Sequence, residues 1–345
     1  MLKKEDKLLG TGRPIVATFT QDDYELYDYT IELDGRELFS GRLDIEYDRE
    51  MDVDISTVIR DFVEWNPKAL FDSERIDTKE TVSRLYNFKV VSEGYADQIY
   101  NVMYNYNTYY MNELQHYGIL NIPISNVQSR RSPFFITYYN FTEEDITITI
   151  NDKDNKVIWS TIAKPSKDII CERIAQPFKL FESGQYYIDL KNAKGFLSRS
   201  FFEFVDDFCD TVSTKRRNVT IYYQNTLGGI DSLMMVGKEE RSRRGETVSF
   251  NKKNTYQLKQ NHTRTVINTN IEKIWNLNTG ILLDSESTDI DELIFSPRIW
   301  LFDETLKSFV SVYLNKQNVK IKNFANDKRV SYTMEFIEDK KYIRR

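Results

Sequence analysis

A mainly β fold is what this sequence predicts, organised as tandem β-sandwich-like domains with a few short helices. Three observations predict it. Aromatic residues make up 14% of the chain, with 22 Tyr and 21 Phe, and such side chains fit pleated, half-buried surfaces. Runs of apolar residues alternate with polar ones at period two in several places. Between those runs stand short turn signals such as Asp34-Gly35. At 345 residues the chain exceeds the roughly 100–150 residues of one domain, and it divides into three parts: 1–126, 127–212 and 213–345.

In the first part, Tyr27 to Leu43 reads as strand, Asp-Gly turn and strand. A helix follows. Ile55, Val58, Ile59, Phe62 and Val63 fall on one stripe, Asp54 is suited to cap its start, and Asn66-Pro67 stops it. The tyrosine-dense run from Tyr95 to Tyr117 has no helical period and reads as strand or extended arm. Its rings, Tyr104, Tyr106, Tyr109 and Tyr110 among them, suit either a sheet face or a subunit interface.

The middle part is also β-like. Ile146, Ile148 and Ile150 alternate with threonines, Asp152 to Asn155 turns the chain, and Val157-Ile158-Trp159 opens the return strand. The pattern faintly echoes Tyr29 to Ser40, as a duplicated sandwich would. In the last part Val219 to Tyr223 is a strand, followed by a loop in which Gly228-Gly229 permits positive φ. A short helix carries Ile290, Leu293 and Ile294 on one face and ends at Ser296-Pro297. Three strands close the chain, through Val310–Leu314, Val319–Ile321 and Val330–Phe336.

Chemistry is sparsely signalled. His116 and His262 stand outside any zinc-ligand spacing, and no GxSxG or Cys-His signature anchors a nucleophile. Cys171 and Cys209 are expected to be packed, reduced thiols. The Asp206–Asp210 cluster lacks the order of a calcium loop. No cofactor and no enzymatic role is expected. No run of residues has the length and apolarity of a membrane span, and the charged start Lys3-Lys4-Glu5-Asp6-Lys7 does not read as an export signal. Net charge is −6, with local basic runs at Lys215, Arg216 and Arg217 and at Lys238, Arg241, Arg243 and Arg244. These suit a solvated loop, pairing with an acidic neighbour, or transient non-specific contact with DNA along a lumen.

Several ordered blocks carry a family likeness. Tyr222-Tyr223-Gln224-Asn225-Thr226-Leu227-Gly228-Gly229-Ile230-Asp231, then Gly237-Lys238, Asn276–Gly280, Glu292–Leu301 and Ser331–Phe336 together resemble a terminal module of structural proteins from phages and prophages of Bacteroidetes, the crAss-like phages included. The stretch from Pro14 to Phe62, with Gly35–Leu43, is similar to first domains of the same proteins. At Gly280-Ile281-Leu282-Leu283 the chain departs from the pattern, which has a more polar turn containing Trp.

The resemblance implies a virion protein without catalytic residues, assembled in the bacterial host cytoplasm into the tail or head-to-tail connector. It implies a homo-oligomeric ring of roughly sixfold or twelvefold symmetry, stacked on portal, tail or other ring proteins and lining the channel for genome delivery. Tyr223, Asn225, Gly228 and Gly229 join the tyrosines as expected interface residues. A carbohydrate-binding tail adhesin, with the Tyr95–Tyr117 rings as a stacking platform, is the alternative.

Overall fold

The computed structural model describes residues 7–12, 14–21, 25–45, 49–72, 77–93, 95–105, 115–121, 127–205, 219–236, 239–251, 264–283, 290–303, 307–316, 319–324, 329–339 and 342–344. The fold is mainly β, with short helices at Ser56–Phe62 and Ile290–Phe295 among the described residues. The chain forms two compact units. One comprises 1–122, 133–204 and 224–231, and the other 123–132, 205–223 and 232–345.

The first unit holds two sandwiches. In the N-terminal one, a five-stranded sheet runs in the order Leu8–Gly10, Gln98–Met103, Tyr86–Ser92, Glu25–Leu33, Arg36–Ile45. It shares a core with the strand pair Val16–Gln21 and Arg49–Asp54, where Ile15, Phe19, Ile31 and Phe88 are buried. The helix Ser56–Phe62 adds Ile59 to that core. Asp54 accepts a hydrogen bond from the Ser56 amide at 2.9 Å, satisfying one of the donors a helix start leaves free.

At the Asp34-Gly35 turn both residues have positive φ, 52° and 77°, as a two-residue hairpin of this hand requires. A Cβ on Gly35 would meet nothing within 4 Å, so the cost of Gly35→Ala is conformational alone. It is expected to lower stability by about 1 kcal/mol, read as a shift in the urea midpoint of this unit.

The second sandwich corrects the predicted boundary at 126. Thr78–Arg84 and Tyr117–Ile119, both from the first part of the sequence, join Asp168–Ile174 and Phe134–Asn140 in one four-stranded sheet. Nothing in the local pattern of those segments names their partners. The facing sheet has five strands, in the order Val127–Ser129, Gly195–Val205, Gly184–Asn192, Ile146–Asp152, Val157–Ala163. Ile146, Ile148, Ile150, Ile188, Phe202 and Phe204 fill the space between the sheets with Phe134, Ile136 and Tyr138. Cys171 is buried on the opposite face of the four-stranded sheet, where it accepts a hydrogen bond from Thr137 at 3.3 Å, and burial pushes its thiol up to about 12, so it stays a protonated packing group.

The boundary at 212 shifts as well. Residues 205–223 belong to the second unit and 224–231 to the first. In the second unit an antiparallel sheet centres on Arg329–Glu338, whose C-terminal half lies between Ser308–Leu314 and Arg264–Asn278. Its N-terminal half lies between Lys320–Phe324 and Leu282–Leu283. Ile221, Leu277, Leu301, Met334 and Phe336 fill the core, and Ile290 and Leu293 of the second helix close onto it. Glu240–Asn251 and Arg264–Asn278 form a long hairpin at one edge.

Candidate interaction surface

The outer face of the sheet Gly195–Val205, Gly184–Asn192, Ile146–Asp152, Val157–Ala163 is ordered in three cross-strand rows. The inward positions of these strands are the apolar ones of the core, so the alternate positions form the outer face. The first row is Ile162, Thr147, Lys191, Phe196; the second is Ser160, Thr149, Asp189, Arg199; the third is Val157, Asn151, Tyr187, Phe201.

Asp189 anchors the middle. Its side chain is fully buried although it lies on this face, because neighbours cover it. Arg199 donates to it through Nε at 2.6 Å and through its terminal nitrogen at 2.8 Å, a two-point contact between planar groups. Asn151 donates at 3.0 Å, and Lys191 lies 3.3 Å away. The Arg199 guanidinium also sits over the Tyr187 ring, 4.8 Å from its centroid. Hydrogen bonding from Arg199 holds the Asp189 carboxyl below the usual carboxylate range, with Lys191 adding to it and burial opposing.

Exposed apolar residues flank this polar centre: Val157 and Ile162, each 51% exposed, on the edge strand Val157–Ala163, and Phe196 and Phe201, 58% and 38% exposed, on Gly195–Val205. Surface aromatics with a pre-ordered arginine match the composition of protein–protein contacts. Sequence reading passed over this face. Its signal is the Gly195–Val205 strand, in which Phe196, Arg199 and Phe201 are outward-facing while Phe202 and Phe204 are buried.

The residues that sequence reading selected lie elsewhere. Tyr223 is buried in the core of the second unit, and Asn225 is wholly buried in the first, so neither offers a surface to a partner. The reason is a hydrogen-bonded knot. Asn225 Nδ2 donates to the Leu120 carbonyl at 2.5 Å and to Asp231 at 2.6 Å, while its Oδ1 accepts from the Gly229 amide at 2.7 Å. Asn121 donates to the Ile230 carbonyl and to Asp231, at 2.7 and 2.9 Å. Trp65 Nε1 donates to the Gly228 carbonyl at 2.8 Å. Gly228 takes positive φ against the Tyr104 carbonyl, and a Cβ on Gly229 would lie 2.5 Å from the Leu120 carbonyl oxygen. Both glycines therefore serve internal packing.

Tyr104 is half-buried with its ring 6.3 Å from that of Trp65, and Tyr95 sits edge-on to Phe19 at 5.6 Å. Tyr100 donates to the Val16 carbonyl at 3.0 Å. These rings are engaged within the chain. Tyr106, Tyr109 and Tyr110 lie outside the described residues, as do Lys215, Arg216, Arg217 and Lys238. Arg241, Arg243 and Arg244 are exposed on the long hairpin. Arg241 stacks on Trp275 at 3.8 Å and pairs with Glu239, and Arg244 lies 3.9 Å from Glu335, so part of this charge is met by neighbouring acids.

No protein-family model matches the chain, and no curated protein matches it. Among solved structures it is similar to the BSP domain of a biofilm-associated protein, at 10% identity and a TM-score of 0.19 over 60% of this chain and 30% of that one. It is similar to fibronectin(III)-like modules of Clostridium thermocellum CbhA, at 9% identity and a TM-score of 0.19 over 61% of this chain and 95% of the other. A Salmonella alpha-2-macroglobulin is matched at 7% identity and a TM-score of 0.22, over 90% of this chain and 21% of that one. The chain thus spans less than a third of the first and third of these proteins. Such low scores carry no argument about function.

Proposed function

We propose that the chain is a non-enzymatic structural subunit of a bacteriophage virion, one of the ring-forming proteins between portal and tail that line the path of the genome. The ordered blocks from Tyr222 to Phe336, with their likeness to structural proteins of crAss-like and related phages, suggest the family. The observation that carries the assembly reading is the exposure of Val157, Ile162, Phe196 and Phe201 on one face of one sheet. Side chains so placed are covered by neighbouring subunits more readily than by a small ligand, which favours concave sites. The glycan-binding alternative loses support where Tyr95, Tyr100 and Tyr104 are engaged inside the chain.

Electron microscopy of the intact particle tests the proposal. The expected result is density for multiple copies of this chain in a closed ring between head and tail. Density for the chain solely at fibre tips, or none in the particle, would overturn it.

A further inference from the structure

We infer that copies of this chain join through opposite charge on two edge strands: Glu240–Asn251 of one copy lies antiparallel along Arg49–Asp54 of the next, with Arg243 beside Asp52 and Arg241 beside Asp54. The inference rests on the assembly reading above and names a contact within it.

Both strands are edges among the described residues. Arg49–Asp54 pairs with Val16–Gln21 in a two-stranded sheet, and Glu240–Asn251 pairs with Arg264–Asn278 alone. Their charges are opposite and follow the period of a strand. Along Arg49–Asp54, Met51 and Val53 pack against the core, while Asp52 and Asp54 alternate with them and are exposed. The sequence from Asp44 to Asp54 holds six acids and one arginine. On the other strand every residue from Glu240 to Gly245 is exposed. Arg241 and Arg243 share a face there, and the stacking of Arg241 on Trp275 at 3.8 Å marks which face it is.

The central charges are available. Among the described residues Asp52 accepts a hydrogen bond from the Thr18 hydroxyl at 2.7 Å and is joined to no cation, and Arg243 is joined to no acid. Hydrogen bonds from Ser56 hold the Asp54 carboxyl below the usual range, so it is charged as well. Two residues of a strand span roughly 6.8 Å on either partner, so both Asp–Arg pairs form in one register.

The sign pattern selects the partner. Two copies of Arg49–Asp54 side by side set acid against acid, and two copies of Glu240–Asn251 set arginine against arginine, so each strand repels itself. The mixed junction alone brings opposite charges together. Contacts between two different edges propagate, closing to a ring or running on as a filament. Nucleic acid suits these arginines less well. Glu239 pairs with Arg241 and Glu335 lies 3.9 Å from Arg244, and acids so placed repel a continuous polyanion.

The test uses two full-length variants, Asp52→Arg and Arg243→Asp, with mass read by sedimentation and light scattering and folding checked by circular dichroism. Wild type is expected to form multimers at low salt that shrink as salt is raised, because exposed ion pairs are screened. Each variant alone is expected to run at the mass of one chain. An equimolar mixture of the two, and the double variant that carries both changes, are expected to regain multimers, since each restores opposite charge at every junction. Multimers that persist in both single variants, or a mixture of folded variants that stays at one chain, would overturn the contact. Loss of binding to a fluorescent DNA duplex in Arg243→Asp, with its mass unchanged, would assign the arginines to nucleic acid instead. A wild type that stays at one chain at every concentration would also overturn the contact, whereas the assembly reading is decided by microscopy of the particle. Should either variant misfold, Asp52→Asn and Arg243→Gln remove the same charges, and each is expected to shift the protein toward one chain.

Discussion

Gly229→Ala is expected to lower the stability of the first unit by about 3–4 kcal/mol, among the largest losses from one methyl group anywhere in the chain. The added Cβ would lie 2.5 Å from the Leu120 carbonyl oxygen and 2.9 Å from Asn225 Nδ2. The first of these is backbone and cannot swing aside. Any shift that relieves the clash lengthens the 2.5 Å bond from Asn225 to Leu120 and the 2.7 Å bond from Gly229 to Asn225. Leaving such buried groups unpaired costs about 1–3 kcal/mol each. Asn225→Ala reaches the same knot by subtraction, stripping a donor from Leu120 and from Asp231 and an acceptor from Gly229, and is expected to cost about 3 kcal/mol. Gly184→Ala is the control. Its φ is +148° and a Cβ there meets nothing within 4 Å, so it should cost only about 1 kcal/mol of backbone strain. Denaturation midpoints of the three variants give the comparison. A Gly229→Ala protein as stable as Gly184→Ala would show that the loop is not seated against Leu120.

That knot also shows where sequence reading stops. The turn chemistry of Gly228-Gly229 was legible, and Gly228 does take positive φ, but Gly229 is required by the close approach of a strand end far away in sequence. A conspicuous motif was therefore read as a surface when it is an internal tie. Local signals elsewhere translated directly. The alternation of Ile146, Ile148 and Ile150 marks a core strand, Asp34-Gly35 makes the hairpin, and the stripe through Ile59 faces the core.

Pairing between distant segments did not translate. Thr78–Arg84 has a mixed pattern with Val82 as its buried apolar residue, and nothing in it names Asp168–Ile174 as its partner. The candidate surface was hidden for a related reason. Phe196, Phe201, Val157 and Ile162 become a pattern only after strand order brings their two strands into one sheet.

The ion pair in that face should behave asymmetrically when cut. Arg199→Leu is expected to destabilise the first unit by about 3 kcal/mol, because it leaves the fully buried Asp189 carboxylate with Asn151 and Lys191 alone. Asp189→Leu should cost less, since Arg199 is partly exposed and regains water when released. Replacing both by leucine is expected to return stability to within about 1 kcal/mol of wild type, as removal of both charges also removes their desolvation cost.

The pH dependence fixes the sign independently. The Asp189 carboxyl is held below its ordinary value chiefly by Arg199, so its contribution is fully present above the unfolded aspartate value of about 3.9 and is lost as pH falls through the lower folded value. In Arg199→Leu the main depressing cause is gone and burial acts against Lys191 alone, so the loss should begin at a higher pH than in wild type. Urea midpoints of wild type, both single variants and the double variant, taken from neutral pH down into the acid range, test these expectations. A double variant as unstable as Arg199→Leu would mean that the pair itself, rather than the avoidance of a stranded charge, holds the four strands in register.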